Sequence, residues 1–263
     1  MFSINIQSKK NKASINFQKN FEKLIYSFCA VNDIEKIHEY QTSNELFSKG
    51  TDQSSWLHKQ IYKEFDKCDK SKLIISYYQL CINIKEELSN STGIKNWAIQ
   101  RFPSVRIQYP ENISVFEFHK DNDYNHPLGE INIFLAVTKC KGTATLNIEK
   151  NLGWNNYEPL ILKAGEFATI NTSIFKHGDY INKENYTRIS VDFRMIPSHV
   201  LNLSKVKNSL SKNRKFTEND YFRNSIDIEK TLKNSLVYLK KRQNFYYIKL
   251  KIIILCIKLE LLV

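Results

Sequence analysis

The 263 residues are 42% hydrophobic and 13% aromatic with only seven Gly and five Pro, which excludes a disordered or repeat-built chain and suits one core domain with extensions. The formal charge of +12 raises nucleic acid or an anionic membrane as partner, but Lys far outnumbers Arg, the lysines are scattered and no basic helix is interleaved with aromatics. We read that balance as the residue usage of an AT-rich genome and expect no nucleic-acid partner.

The N-terminus MFSINIQSKKNKAS lacks the apolar stretch of a signal peptide. Five cysteines (Cys29, Cys68, Cys81, Cys140, Cys256), an odd number with no CxxC, argue for reduced thiols in the cytoplasm over a disulfide scaffold or zinc ribbon. The first hundred residues read as helices. SINFQKNFEKLIYSFCAV spaces Phe17, Phe21, Leu24, Ile25 and Phe28 helically; SSWLHKQIYKEFDKC repeats the pattern behind Ser54 or Ser55 as N-cap; SKLIISYYQLCINIKEEL is a third, long helix. From Pro103 to Pro197 the period shifts to two. Short strands are expected at SVRIQYP, SVFEFH, GEINIFLAVT, TATLNIE, EPLILK, EFATINT, FKHGDYI and TRISVDFRMI, the count of an antiparallel sandwich, jelly roll or small barrel. Beyond Pro197 the chain is polar, and SKVKNSLSKNRKFTENDYFRNS reads as a loosely held extension. The final NFYYIKLKIIILCIKLELLV is broken by Lys249, Lys251, Lys258 and Glu260, so no membrane span is expected there.

The second strand carries His119 and Asp121, which share a face with Glu117 if the strand is regular. An imidazole and a carboxylate so placed can take two positions on a divalent metal. His177, 56 residues after Asp121, supplies a third from the seventh strand, a neighbour of the second in an eight-stranded jelly roll. Two histidines and one carboxylate leave three positions open, the facial triad of non-haem Fe(II) oxygenases. HxD alone is a weak signal, and Asp123 competes with Asp121, although Asn122 and Asn125 suggest that the strand has turned by then. Arg188 lies 11 residues beyond His177 with Ser190 on the same face, and a guanidinium beside a hydroxyl can hold a carboxylate. The bland reading pairs Arg188 with solvent or with Asp192.

HxD, a distant His and then RxS resemble the Fe(II)/2-oxoglutarate-dependent dioxygenases. The wider stretch RFPSVRIQYPENISVFEFHKDNDYNHPLGEINIFLAVT, with FKHGDYIN and TRISVDFRMIP, is similar to the StrG-like family of streptomycin biosynthesis. The likeness covers roughly residues 95 to 200. It implies a double-stranded β-helix (cupin-like jelly roll) over 101–200; with the helical part read at 1–100 and the polar, helical extension read at 201–263, which the likeness does not cover, a mainly β fold with α is expected. The likeness implies Fe(II) on His119, Asp121 and His177, the distal carboxylate of 2-oxoglutarate on Arg188 with Ser190, O₂ as oxidant, and a small molecule of sugar or secondary-metabolite type as substrate. Arg106, Gln108, Glu117, His126 and Asn132 are further candidates for substrate contact or support of the ligands, though each can equally face water or bind a surface partner. Rival readings remain: a non-oxidative metal cupin of isomerase or epimerase type, which the lack of HxH disfavours; a silent small-molecule-binding jelly roll; and a nucleic-acid demethylase.

Overall fold

Helical spacing in the N-terminal third is realised as three α-helices in the computed structural model. It describes residues 6–29, 31–40, 55–67, 71–114, 117–205, 208–210, 214–218 and 220–235. Helix α1 (Lys12–Phe28) starts at Asn11, whose side chain accepts from the Ser14 N–H in a reciprocal capping box. Helices α2 (Trp56–Asp66) and α3 (Lys72–Thr92) start at Ser55 and Ser71, each accepting from a backbone N–H three residues on. Gly93 ends α3 at φ 76°, a left-handed conformation open to glycine without strain. Phe17, Phe21 and Ile25 recur every four residues on α1 and are fully buried with Tyr77 of α3 and the outer face of the larger sheet. Burying each is worth about 2 kcal/mol.

The strands are β1 (Trp97–Gln100), β2 (Ser104–Gln108), β3 (Ile131–Ala136), β4 (Leu146–Glu149), β5 (Tyr157–Pro159), β6 (Phe167–Ile170), β7 (His177–Asp179), β8 (Arg188–Pro197) and β9 (Phe222–Asn224). One sheet has the order β6-β3-β8-β1-β9, with β2 also on β8; the other is β5-β4-β7. Every pairing is antiparallel. The two sheets enclose Phe134, Ala136, Leu146, Ile148, Ala168 and Ile170, and the first carries the helices on its other face, the double-stranded β-helix arrangement. Strand β8 shows why the architecture holds together. Ile189, Val191, Phe193 and Met195 pack towards the helices, while Arg188, Ser190, Asp192 and Arg194 alternate with them and are buried on the inner side.

Several expectations need correction. SVFEFH is not a regular strand among the described residues: only His119 pairs, in a single bridge to His177, and Val115 and Phe116 lie outside them. Strand β1 precedes Pro103, where helix was expected, because its four residues are buried between β8 and β9. The segment read as a loose extension is anchored: Phe216, Tyr221 and Phe222 are buried, β9 pairs with β1 and residues 225–235 are helical. The terminal apolar stretch at 244–263 lies outside the described residues, as do Cys68 and Cys256; Cys29, Cys81 and Cys140 are free thiols. No described helix is long and apolar enough to cross a membrane.

Candidate metal centre

The bridge between His119 and His177 places two imidazoles side by side on the inner face. Each backbone N–H donates to the other's carbonyl, at 3.1 and 2.9 Å, and the ring centroids are 4.5 Å apart. Asp121 no longer belongs to a strand; it opens a 3-10 helix (Asp121–Tyr124) and its N–H donates to the Thr172 carbonyl at 2.8 Å. The turn swings its carboxylate between the rings. Oδ1 lies 3.9 Å from His119 Nε2 and 3.8 Å from His177 Nε2, and the three ligand atoms all fall within 4.8 Å of one another. Donors on one face of an octahedral divalent ion stand about 3 Å apart, so a small contraction would close the set.

The far sides of both rings are tied down. His119 Nδ1 is 2.8 Å from the Glu117 carbonyl, and His177 Nδ1 is 3.4 Å from the Phe175 carbonyl. With Nδ1–H donating outwards, each Nε2 lone pair faces Asp121, which is how imidazole ligands are oriented. Burial drives the His177 pKa down to about 4 against the upward pull of Asp121, so the ring is neutral at pH 7. Burial alone would raise the Asp121 pKa; the Arg194 guanidinium, then His177, His126 and the Thr172 hydroxyl, hold it well below the ordinary carboxylate range. Thr172 Oγ1 donates to Oδ2 at 2.5 Å, while Arg194 reaches Oδ2 through Nε (3.2 Å) and both oxygens through Nη2 (3.1 and 3.0 Å). Asp123 is exposed and accepts from the Lys120 N–H at 2.9 Å, away from the cluster.

Arg188 is buried beside this cluster and is not free. Asp179 accepts from Nη1 at 2.9 Å and from Nη2 at 2.8 Å, so the expected local partner Asp192 is replaced by Asp179. Asp192 instead accepts from Arg194 Nη1 at 2.6 Å and lies 3.4 Å from Arg106 Nε. Arg188 Nε and Ser190 Oγ have no partner among the described residues although both are buried. Two orphaned donors on one wall leave a place for an oxygen-bearing group. Arg106, Asn132, Arg188 and Asp192 line a cavity of about 30 Å³ with both histidines.

The other candidates separate. Asn132 is buried with an unpaired Oδ1, next to Arg194 in register. Gln108 is a structural tie, donating to the Tyr180 carbonyl at 2.7 Å. Glu117 keeps its carboxylate exposed and contributes only its carbonyl. His126 is buried, not at the surface, with Nδ1 2.9 Å from Glu130 Oε2. Asp121, His126 and Glu130 form a second group of possible ligands, but Arg194, on Asp121 and 4.0 Å from Glu130, already supplies the cation there. Sequence reasoning missed Arg194 and Asp179. Each was available from the face rule, at even offsets from Arg188 and His177, whereas Thr172, Ser114 and Glu130 carried no signal.

No family model matches the chain. It is 26% identical over 165 residues, 62% of this chain and 73% of the other, to the streptomycin biosynthesis protein StrG of Streptomyces griseus. Among solved structures, the non-heme monooxygenase ThoJ in its nickel complex aligns over 93% of this chain and 94% of its own, at 11% identity and TM-score 0.42. A Pseudomonas putida prolyl-4-hydroxylase aligns over 73% of this chain and 92% of its own, at 8% identity and TM-score 0.41.

Proposed function

We propose that this protein is an Fe(II)- and 2-oxoglutarate-dependent oxygenase that hydroxylates a small molecule of sugar or secondary-metabolite type. The observation that carries the reading is the convergence of two outward-tethered imidazoles on one oxygen of an ionised, buried carboxylate. In this reading His119, Asp121 and His177 bind the iron. Arg188 Nε and Ser190 Oγ receive the distal carboxylate of 2-oxoglutarate. Bound Fe(II) would supply O₂ activation coupled to decarboxylation of the co-substrate to succinate.

The chain's own part is orientation. The mutual backbone hydrogen bonds between residues 119 and 177 set the two side chains side by side, and the Nδ1 contacts to the Glu117 and Phe175 carbonyls orient the rings. Thr172 holds the Asp121 carboxylate by Oδ2 and Arg194 by both oxygens, with Oδ1 turned towards the histidines. Tyr124 stands edge-on to His119 at 5.0 Å. Sequence likeness to a streptomycin biosynthesis protein supports a small-molecule substrate.

The test is anaerobic titration of the protein with Fe(II) and 2-oxoglutarate, watching for the visible charge-transfer band of the chelate. The expected result is a band that His177→Ala abolishes and Arg188→Ala shifts to higher 2-oxoglutarate concentration. Iron binding without a band would favour the non-oxidative cupin, and no metal binding would sink the reading.

A further inference from the structure

Asp179 lies two residues beyond His177 on β7, and its side chain is completely buried. Both its oxygens sit on the two terminal nitrogens of Arg188, at 2.9 and 2.8 Å. Ser114 Oγ locks the arrangement, accepting from Arg188 Nη2 at 2.6 Å and donating to Asp179 Oδ2. Asp179 therefore presents to Arg188 the bidentate contact that an arriving carboxylate would make. The adjoining cavity of about 30 Å³ has room for a few waters and not for a five-carbon dianion, so ligand entry requires side chains to move.

We infer that Asp179 is a resident carboxylate that competes with the co-substrate for Arg188 and thereby sets its affinity. The inference rests on the reading of Arg188 as the anchor of 2-oxoglutarate. An incoming carboxylate either displaces Asp179 from the Nη pair or lands on Nε and Ser190 Oγ with Asp179 in place. In both cases two carboxylates share one guanidinium away from water, and their repulsion subtracts from binding. A merely structural Asp179, holding Arg188 in position, has the opposite signature: its loss weakens binding.

Asp179→Asn keeps the shape and one hydrogen bond to Arg188 but removes the charge. The measurement is anaerobic binding of 2-oxoglutarate to the Fe(II)-loaded protein, beside pyruvate, a 2-keto acid without a distal carboxylate. Expected is roughly tenfold or more tighter 2-oxoglutarate binding in Asp179→Asn, with pyruvate unchanged. Ser114→Ala, which frees Asp179 from its tether, should move affinity the same way by less, and gives the reading where Asp179→Asn does not fold. Unchanged or weaker 2-oxoglutarate binding, or an equal gain for pyruvate, overturns the inference and leaves the iron and co-substrate site standing. A wild-type protein that binds iron and neither keto acid overturns both.

Discussion

Replacing Arg194 with methionine keeps most of the side-chain volume and removes a buried cation. The guanidinium makes three contacts of 3.0–3.2 Å to Asp121 and one of 2.6 Å to Asp192. Leaving a buried partner unpaired costs about 3–5 kcal/mol, and here two carboxylates lose the same cation. For a chain of this size that lowers Tm by roughly 6–20 °C. The pH dependence gives the sign a second check. Asp121 has a depressed pKa in the folded protein, so its contribution is present above the ordinary carboxylate range near 4 and is lost as pH falls below it. In Arg194→Met burial instead favours the protonated acid, so the variant should regain stability as pH falls towards about 4 while wild type loses it below that, and the gap should narrow steadily from pH 7 downwards. The assay is urea unfolding at several pH values. A loss below about 1 kcal/mol at pH 7 would refute the argument, since it would mean that Asp121 does not depend on Arg194 for its charge.

His177, with its pKa lowered to about 4, keeps a neutral ring while the unfolded chain takes up a proton, so metal-free stability should decline between about pH 6.5 and 4; His177→Gln should flatten that slope in urea unfolding. A Cβ at Gly178 would stand 3.0 Å from Phe118 Cγ and 3.1 Å from its Cα, so Gly178→Ala should push Phe118 and with it His119. Mn(II) affinity by calorimetry should fall roughly tenfold or more, and wild-type affinity would show that the bridge absorbs the strain. Phe222 is fully buried, so Phe222→Ala should cost about 3–5 kcal/mol in urea unfolding; a change near zero would return residues 214–235 to the status of a loose extension.

The strands were legible wherever both faces of the sheet had a simple occupant. Ile131–Ala136 and Arg188–Pro197 alternate because one face meets the helices and the other meets the interior. Strand β1 was illegible because all four residues of WAIQ are buried, which erases the period. The C-terminal segment looked loose because only Phe216, Tyr221, Phe222 and a few others anchor it among polar residues. At the site, HxD and the distant His were readable as residues that share a face. Asn122 and Asn125 signalled a turn, but not that it begins at Asp121 itself, since HKD does not distinguish a strand end from the start of a 3-10 helix. Partner choice was the least legible of all. Arg188 had two candidate acids, Asp179 nine residues back across the loop and Asp192 on the same face of its own strand, and only the fold selects Asp179.

Under the proposed function, the interior charges bear on how the affinities for metal and co-substrate are coupled. Arg106, Arg188 and Arg194 face Asp121, Asp179, Asp192 and Glu130, three cations against four carboxylates, and burial raises the pKa of Glu130 so that it is the acid most ready to be neutral. The interior is therefore near balance. A divalent cation alone shifts it by two positive charges and 2-oxoglutarate alone by two negative ones, each at the expense of burying net charge. Together they cancel. The two affinities should therefore be coupled, direct contact between the ligands adding to the effect, and by reciprocity Mn(II) should tighten 2-oxoglutarate by the factor that 2-oxoglutarate tightens Mn(II), about 5- to 150-fold. Calorimetric titration of each in the presence and absence of the other measures both arms. An affinity for 2-oxoglutarate independent of Mn(II) would mean that water screens the interior, and the pairs at Arg188 and Arg194 would then carry the modest strength of exposed salt bridges.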